Sequence, residues 1–133
     1  MVKLKKLIIA CDGESASGKS TAAKLVSKKY KLLLINSGLI YRYCSKIIIK
    51  HKPKKIISFL KNKLKKVSYK SIAKQKLHSE EISDHVAIIA KNKKVREIVN
   101  QLQMKIIRTN SRICVEGRDI ASKILAKNPK YDV

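Results

Sequence analysis

The stretch Leu7-Ile-Ile-Ala-Cys-Asp-Gly-Glu-Ser-Ala-Ser-Gly-Lys-Ser-Thr21 decides the fold expected for this chain. It begins with a short apolar run, which is typical of a parallel strand buried on both faces. It continues into the pattern G-x-x-x-x-G-K-S from Gly13 to Ser20, and from Ser20 to about residue 29 apolar residues recur at helical spacing. A strand, a glycine-rich turn and a helix in this order are the context of a phosphate-binding P-loop.

The residue types of this loop fit the binding of a nucleoside triphosphate. Gly13 and Gly18 permit backbone geometries in which successive N–H groups converge on phosphate oxygens, and the following helix adds its partial positive charge. Lys19 is expected to reach the β and γ phosphates, and the Ser20 hydroxyl to ligate Mg²⁺. The predicted phosphate-binding residues are Gly13, Glu14, Ser15, Ala16, Ser17, Gly18, Lys19, Ser20 and Thr21.

The rest of the chain predicts an α/β fold with a parallel sheet flanked by helices. Buried strands are expected at 32–35 and 113–115, and helices at 38–49 and 79–107 with a break at Asn92. The lysine-rich segment 50–76 is expected to be a small helical excursion from the sheet. A short helix at 121–126 and the start of a fourth strand at 130–133 complete the prediction.

Three parts of one domain are predicted. Residues 1–45 form the P-loop and the first strand–helix part of the core, residues 46–78 form a short insertion, and residues 79–133 continue the core. Because a parallel sheet that ends inside a strand lacks its remaining elements, we expect the chain to be the N-terminal portion of a longer, C-terminally incomplete fold. A short protein with a frayed tail is the alternative.

The composition limits the classes of function. The chain carries 32 Lys and Arg against 9 Asp and Glu, a formal net charge of +23, so polyanions and phosphates are the expected partners. Specific nucleic-acid binding is disfavoured, since the acid-free segment 46–76 interleaves only Phe59 and Tyr69; non-specific adhesion at low salt is expected. No apolar run reaches the length of a membrane helix, and three cysteines without a C-x-x-C pair favour a reducing cytoplasm.

Polar residues follow the second and third predicted strands. Asn36-Ser-Gly-Leu-Ile-Tyr-Arg42 follows the second strand, and Glu116-Gly-Arg-Asp119 follows the third. Only five of the 32 basic residues are Arg, and a guanidinium offers a planar fork suited to two phosphate or base contacts. Since open α/β sheets bind ligands at the carboxyl ends of their strands, an acceptor site is expected there.

Taken together, these motifs resemble the cytidylate kinase family, bacterial enzymes that phosphorylate CMP and dCMP with ATP. The resemblance rests on Asp12-Gly13 with the P-loop, Ser37-Gly38 with Tyr41-Arg42, Ser79-Glu80-Glu81-Ile82, Val95-Arg96-Glu97 and Val115-Glu116-Gly117-Arg118-Asp119. It covers the whole chain and about the first three fifths of such an enzyme. It implies a P-loop nucleoside monophosphate kinase fold, Mg²⁺ with ATP as donor, a monomer, and an arginine-rich lid beyond Val133.

The resemblance also assigns roles to residues. Lys19, Arg118 and Asp119 are implied to be catalytic, with Asp119 orienting the nucleoside. The implied CMP-binding residues are Ser37, Tyr41, Arg42, Arg96, Gly117, Arg118 and Asp119. Arg108 and Arg112 match no family position and are expected to be solvated, and His51 and His85 are expected at the surface.

This chain departs from the family pattern at three positions. Asn36 stands where an acid often begins the D-[ST]-G motif, His78 stands where an arginine often precedes the S-E-E segment, and Ala87 occupies the position of a base-reading serine. Another small-molecule P-loop kinase and a basic nucleic-acid-binding protein therefore stay open as alternatives. Binding of AMP, UMP or shikimate-like acceptors would favour the first, and affinity that falls steeply with salt and ignores Lys19→Ala would favour the second.

Overall fold

The computed structural model describes residues 5–12 and 19–117. Within them lie three strands and six helices. The predicted phosphate loop at 13–18, the helix expected at 121–126 and the strand expected at 130–133 lie outside the described residues.

Three parallel strands form the sheet: β1 (Leu7–Asp12), β2 (Leu33–Asn36) and β3 (Arg112–Gly117). Their order is β1-β3-β2, so the strand that comes last in sequence lies in the centre. Its residues are almost all buried, whereas those of β1 are mostly half-buried because β1 lies at an edge of the described sheet. The predicted parallel sheet is confirmed, with full burial at the central strand rather than at the first.

Helix α1 (Lys19–Tyr30) returns the chain from β1 to β2 and packs on the sheet. Ala23, Leu32 and Cys114 form the buried centre of this contact, with Val26 and Ile9 packed against them. The helix ends at Tyr30, and the next residue, Lys31, has a positive φ of 54°, the left-handed conformation that often terminates helices. A small residue at position 23 lets the helix approach the sheet closely.

Arg112 stabilises this layer and is not solvated as expected. It is half-buried at the start of β3, and its two terminal nitrogens donate to the backbone carbonyls of Lys5 and Tyr30. The guanidinium thereby joins the segment before β1 to the end of α1. The expectation was wrong because arginine can satisfy two separate carbonyls at once, a use that sequence spacing does not reveal. Arg108 is exposed, as predicted.

The chain divides into two compact units. The first comprises Met1–Ser37 and Met104–Val133 and contains the sheet; the second comprises Gly38–Gln103. The helices after β2 are α2 (Ser37–His51), α3 (Ile56–Lys66), α4 (Tyr69–Ala73), α5 (Glu80–Ile89) and α6 (Lys93–Thr109). The second unit is therefore entirely helical and encloses the predicted insertion 46–78.

The second unit has its own buried apolar side chains. They come from every one of its helices, including Leu60 and Leu64 of α3 and Ile72 of α4, while the lysines of α3 are mostly exposed. The lysine-rich segment is thus helical, as expected, and it also contributes to a core. Its apolar residues at 60 and 64 lie four apart on one face of α3.

Two polar side chains cap the N-termini of the last two helices, α5 and α6. The Ser79 hydroxyl accepts from the backbone N–H of Ile82 at 3.2 Å and caps α5, and Asn92 Oδ1 accepts from Lys94 and Val95 and begins α6. The predicted cap at Ser79 and the predicted break at Asn92 are both confirmed. Among the described residues, no helix combines the length and the hydropathy that a membrane span requires.

Candidate functional site

The carboxyl ends of the three strands meet at one edge of the sheet. The register pairs Asp12 with Gly117 and places Glu116 between Cys11 on one side and Asn36 on the other. Asp12, Asn36 and Glu116, each the first polar residue after a predicted apolar run, therefore all lie at this edge. Asn36, one of the departures from the family pattern, is half-buried here.

Helix α1 begins directly after the predicted phosphate loop. Lys19 is its first residue, followed by Ser20 and the exposed Thr21, and β1 ends at Asp12. The loop at 13–18 thus joins the carboxyl end of a strand to the N-terminus of a helix, as the P-loop motif requires. The first turn of α1 contains no acidic residue, so no side chain of that turn opposes its partial positive charge.

Glu116 is a candidate that the predicted site residues did not include. Its side chain is only 2% exposed, and its Oε2 atom is buried without a hydrogen-bond partner among the described residues. Burying a carboxylate in this way is costly unless a donor or a cation satisfies it. The sequence signal was present, since Glu116 is an acid at the end of an apolar strand in a chain with few acids.

Two thiols lie immediately behind this edge. Cys11 Sγ is 3.9 Å from Cys114 Sγ, and all three cysteines of the chain are free thiols. Burial is the largest of the causes that raise the pKa of Cys11 to about 11, and the charges of Glu116 and Asp12 act in the same direction. The thiol therefore stays protonated at neutral pH and is a poor nucleophile.

In the second unit, Arg42 is held by two hydrogen bonds. Its Nη1 atom donates to the Leu77 carbonyl at 3.0 Å and to Ser83 Oγ at 2.9 Å. One turn along α2, Lys46 Nζ donates to Gln75 Oε1 at 3.0 Å. A cleft of about 500 Å³ is lined by the same segment, Gln75 to Ser79. The side chain of Arg42 is thus fixed beside this cleft.

Arg96 is close enough to Tyr41 for its positive charge to affect the pKa of the tyrosine hydroxyl. Burial raises the pKa of the Tyr41 hydroxyl to about 12, and the positive charge of Arg96 acts in the opposite direction. Tyr41 is half-buried and stays neutral at physiological pH, whereas Arg96, on α6, is exposed. An aromatic ring on one helix and an exposed guanidinium on another suit a planar, anionic ligand.

The remaining predicted site residues lie as follows. Ser37 is buried at the first position of α2, and Gly117 is buried at the end of β3. Arg118 and Asp119 lie outside the described residues, as do Gly13 to Gly18. At the other departures from the family pattern, His78 and Ala87 are both exposed.

His85 was expected at the surface, and this prediction was wrong. It is half-buried, and its Nδ1 atom lies 2.9 Å from Oγ of the fully buried Ser45. No local pattern predicts the pair, because the two residues are 40 positions apart. Among the described residues, no group of three or more His, Cys, Asp or Glu side chains is arranged to hold a metal ion.

Comparisons with a protein family and with individual proteins all identify similarity to cytidylate kinases. The family described as Cytidylate kinase matches residues 9–130. A cytidylate kinase of Listeria monocytogenes serotype 4a (strain HCC23) is 32% identical over 135 residues, and one of Aquifex aeolicus (strain VF5) is 32% identical over 133 residues; each alignment covers 91% of this chain and 60% of the relative. A bifunctional pantoate ligase/cytidylate kinase of Prochlorococcus marinus (strain AS9601) is 35% identical over 133 residues, covering 88% of this chain and 26% of the relative. The chain spans about 60% of the length of the first two relatives.

Proposed function

The chain belongs to the cytidylate kinase family, and from this membership we propose that it acts in the transfer of the γ-phosphoryl group of ATP to CMP or dCMP. The products are ADP with CDP or dCDP. The resemblance inferred from the sequence motifs agrees with the family match, which favours this reaction over that of another small-molecule P-loop kinase.

One observation carries the proposal. The G-x-x-x-x-G-K-S pattern lies between the end of β1 at Asp12 and the start of α1 at Lys19, at the sheet edge that also carries Glu116 and Gly117. This is where the phosphates of a nucleoside triphosphate would meet backbone N–H groups and a helix N-terminus. We assign donor binding to Gly13–Thr21, with Lys19 neutralising the charge of the β and γ phosphates.

The residues present at this edge fit a magnesium ion. Ser20 offers a hydroxyl at the start of α1, and Glu116 offers a buried carboxylate oxygen without a hydrogen-bond partner among the described residues. Oxygen atoms of this kind, or waters that they hold, are what Mg²⁺ prefers. When bound with ATP, the ion would neutralise phosphate charge; Ser20 and Glu116 would orient it.

We assign acceptor binding to the residues that the family resemblance implies. The proposed CMP-binding residues are Ser37, Tyr41, Arg42, Arg96, Gly117, Arg118 and Asp119. The arrangement of Arg42 supports this assignment, because its two bonds use only Nη1 and leave the Nη2 and Nε hydrogens for an anion. Tyr41, neutral and half-buried, would pack on the nucleoside.

The chemistry needs no covalent enzyme intermediate. An oxygen of the CMP phosphate attacks the γ-phosphorus in line; the new O–P bond forms as the bond to the β-phosphate oxygen breaks, and ADP leaves with that electron pair. Since the attacking phosphate is already ionised near neutral pH, no general base is required. Lys19 and Arg118 stabilise the charge on the transferred group, and Asp119 orients the acceptor.

Calorimetric titration tests the proposal. CMP, dCMP, UMP and AMP are each added to the folded chain at moderate salt, with and without a non-hydrolysable ATP analogue. Selective binding of CMP or dCMP supports the assignment, and its loss in Arg118→Ala supports the arginine's role. Equal binding of all four nucleotides, or none, from a folded chain would overturn it.

The distribution of lysines along the chain supports nucleic acid as a further partner. The segment from Lys46 to Lys76 contains 12 of the chain's 27 lysines and no acid. We propose that the lysines of this segment bind the phosphates of nucleic acids at low salt, without sequence preference.

We also propose that the protein is a monomer and is located in the cytoplasm. The free thiols favour such a reducing compartment.

A further inference from the structure

The hydrogen bonds of Arg42 form part of a longer chain of contacts within the second unit. Arg42 Nη1 donates to Ser83 Oγ at 2.9 Å, and Ser83 Oγ donates to the Ser79 carbonyl at 3.0 Å. Ser79 is itself fixed, since its hydroxyl caps the N-terminus of α5. The chain of contacts therefore runs from a helix cap to a guanidinium.

The direction of these bonds follows from the chemistry of the hydroxyl group. A serine hydroxyl has one hydrogen and two lone pairs. The hydrogen of Ser83 is used on the carbonyl one turn earlier in the same helix, so a lone pair is left to accept from Arg42. An arginine has no acceptor, so only this orientation of the hydroxyl satisfies both contacts.

The Leu77 carbonyl completes the fixation of the guanidinium. Both acceptors, Leu77 O and Ser83 Oγ, bind the same nitrogen, Nη1. The planar group is thus held at one corner, and the edge formed by Nε and Nη2 is not used by these bonds. That edge has the geometry for two oxygens of one phosphate group.

We infer that Ser83 is a positioning residue that orients Arg42 toward the phosphate of the acceptor nucleotide. The inference rests on the proposed function and adds a residue that neither the motifs nor the family match assigns. A free arginine side chain loses rotamer freedom when it binds an anion, and a side chain already held in place loses less. Ser83 therefore lowers the cost of binding the acceptor without touching it.

The first test compares three variants by calorimetry with CMP and with an ATP analogue. In Ser83→Ala, the dissociation constant for CMP is expected to rise about 3- to 10-fold, while that for the ATP analogue stays unchanged. Ser83→Thr, which keeps the hydroxyl, is expected to restore CMP affinity. Ser58→Ala, at an exposed serine of α3, is the matched control and is expected to leave both constants unchanged.

A double-mutant cycle separates positioning from simple stabilisation of the fold. Arg42→Met keeps the apolar stem and removes the guanidinium, and in that background Ser83→Ala is expected to have no further effect on CMP affinity. A similar loss in both backgrounds, or a lowered Tm with unchanged CMP affinity, would overturn the inference. If Arg42→Met weakens CMP binding and Ser83→Ala does not, the result contradicts the positioning role of Ser83 but not the proposed function. If the wild-type chain does not bind CMP, the result contradicts both the positioning role and the proposed function.

Discussion

Glu116 of β3 lies in register with Cys11 of β1, and the negative charge of the glutamate contributes to the raised pKa of that thiol. The pair marks the point where the central strand meets the strand that leads into the phosphate loop. A buried carboxylate here is costly for the protein without ligand, and a divalent cation or a bound water would offset that cost. This relationship leads to the first prediction.

Replacing the Glu116 carboxylate by an amide is expected to stabilise the protein without ligand and to weaken the effect of Mg²⁺ on ATP binding. Glu116→Gln keeps the shape and removes the buried charge, so the free energy of unfolding without ligand should rise by about 1 kcal/mol. The dependence of ATP affinity on Mg²⁺ should weaken at the same time. Thermal unfolding and ATP titrations with and without Mg²⁺ measure the two effects. An unchanged Mg²⁺ dependence would remove Glu116 from the proposed magnesium site.

Lys19 is expected to be required for donor binding. In Lys19→Ala, the loss of a charged contact to the β and γ phosphates should weaken ATP binding about 10- to 100-fold. The exposed Lys24, in the same helix, provides the matched control Lys24→Ala, which should retain ATP affinity. Equal affinity in the two variants would contradict the assignment of the loop. CMP affinity measured alone should be unchanged in both.

The buried thiol of Cys44 predicts a loss of stability at alkaline pH. Burial raises the pKa of this thiol to about 12 from an ordinary value of 9.0, so the folded state holds the proton more tightly than the unfolded state. The resulting stability is fully present below about pH 9 and is lost as the pH rises toward 12, by up to about 1.4 kcal/mol per pH unit.

Urea unfolding of wild type and Cys44→Ala between pH 7 and 11 measures this contribution. The variant is expected to be less stable at pH 7, because it leaves a small cavity, and to lose less stability as the pH rises above 9. Parallel pH profiles for the two proteins would show that Cys44 does not carry the effect. Tyr41 contributes to the alkaline loss in both, since its pKa is also raised.

The segment from Lys46 to Lys76, which includes the lysines of α3, is expected to bind nucleic acid only through charge. The affinity for a single-stranded RNA of mixed sequence should fall by at least about 100-fold between 50 and 200 mM salt. Replacing the exposed Lys61, Lys65 and Lys66 by Glu should weaken binding strongly, whereas the same changes at Lys24, Lys28 and Lys29 of α1 should weaken it less. Binding that survives high salt would contradict a purely electrostatic interaction.

Local patterns were sufficient to predict most of the fold. The apolar run before Gly13 and the periodic residues after it predicted β1 and α1. The hydrogen-bonding capacity of Ser79 and Asn92 predicted where α5 and α6 begin. These features depend on neighbours in sequence. Burial at the central strand did not follow from them, because strand order is set by pairing between distant segments.

The site was predictable where a motif fixes the role of a residue, and not where a role arises from contacts across the fold. Arg42 was identified from its scarcity and position, but its bonds to Leu77 and Ser83 join residues 35 and 41 positions apart. Arg112 and His85 were misjudged for the same reason, since their partners are not local. Glu116 could have been included, because a buried strand ending in an acid carries that signal.

The most direct test of the central claim is calorimetric titration of CMP, dCMP, UMP and AMP into the folded chain, with Arg118→Ala as the control variant. The account predicts selective binding of CMP or dCMP by wild type and loss of that binding in the variant. Equal affinity for all four nucleotides, or no binding of any of them, would contradict it.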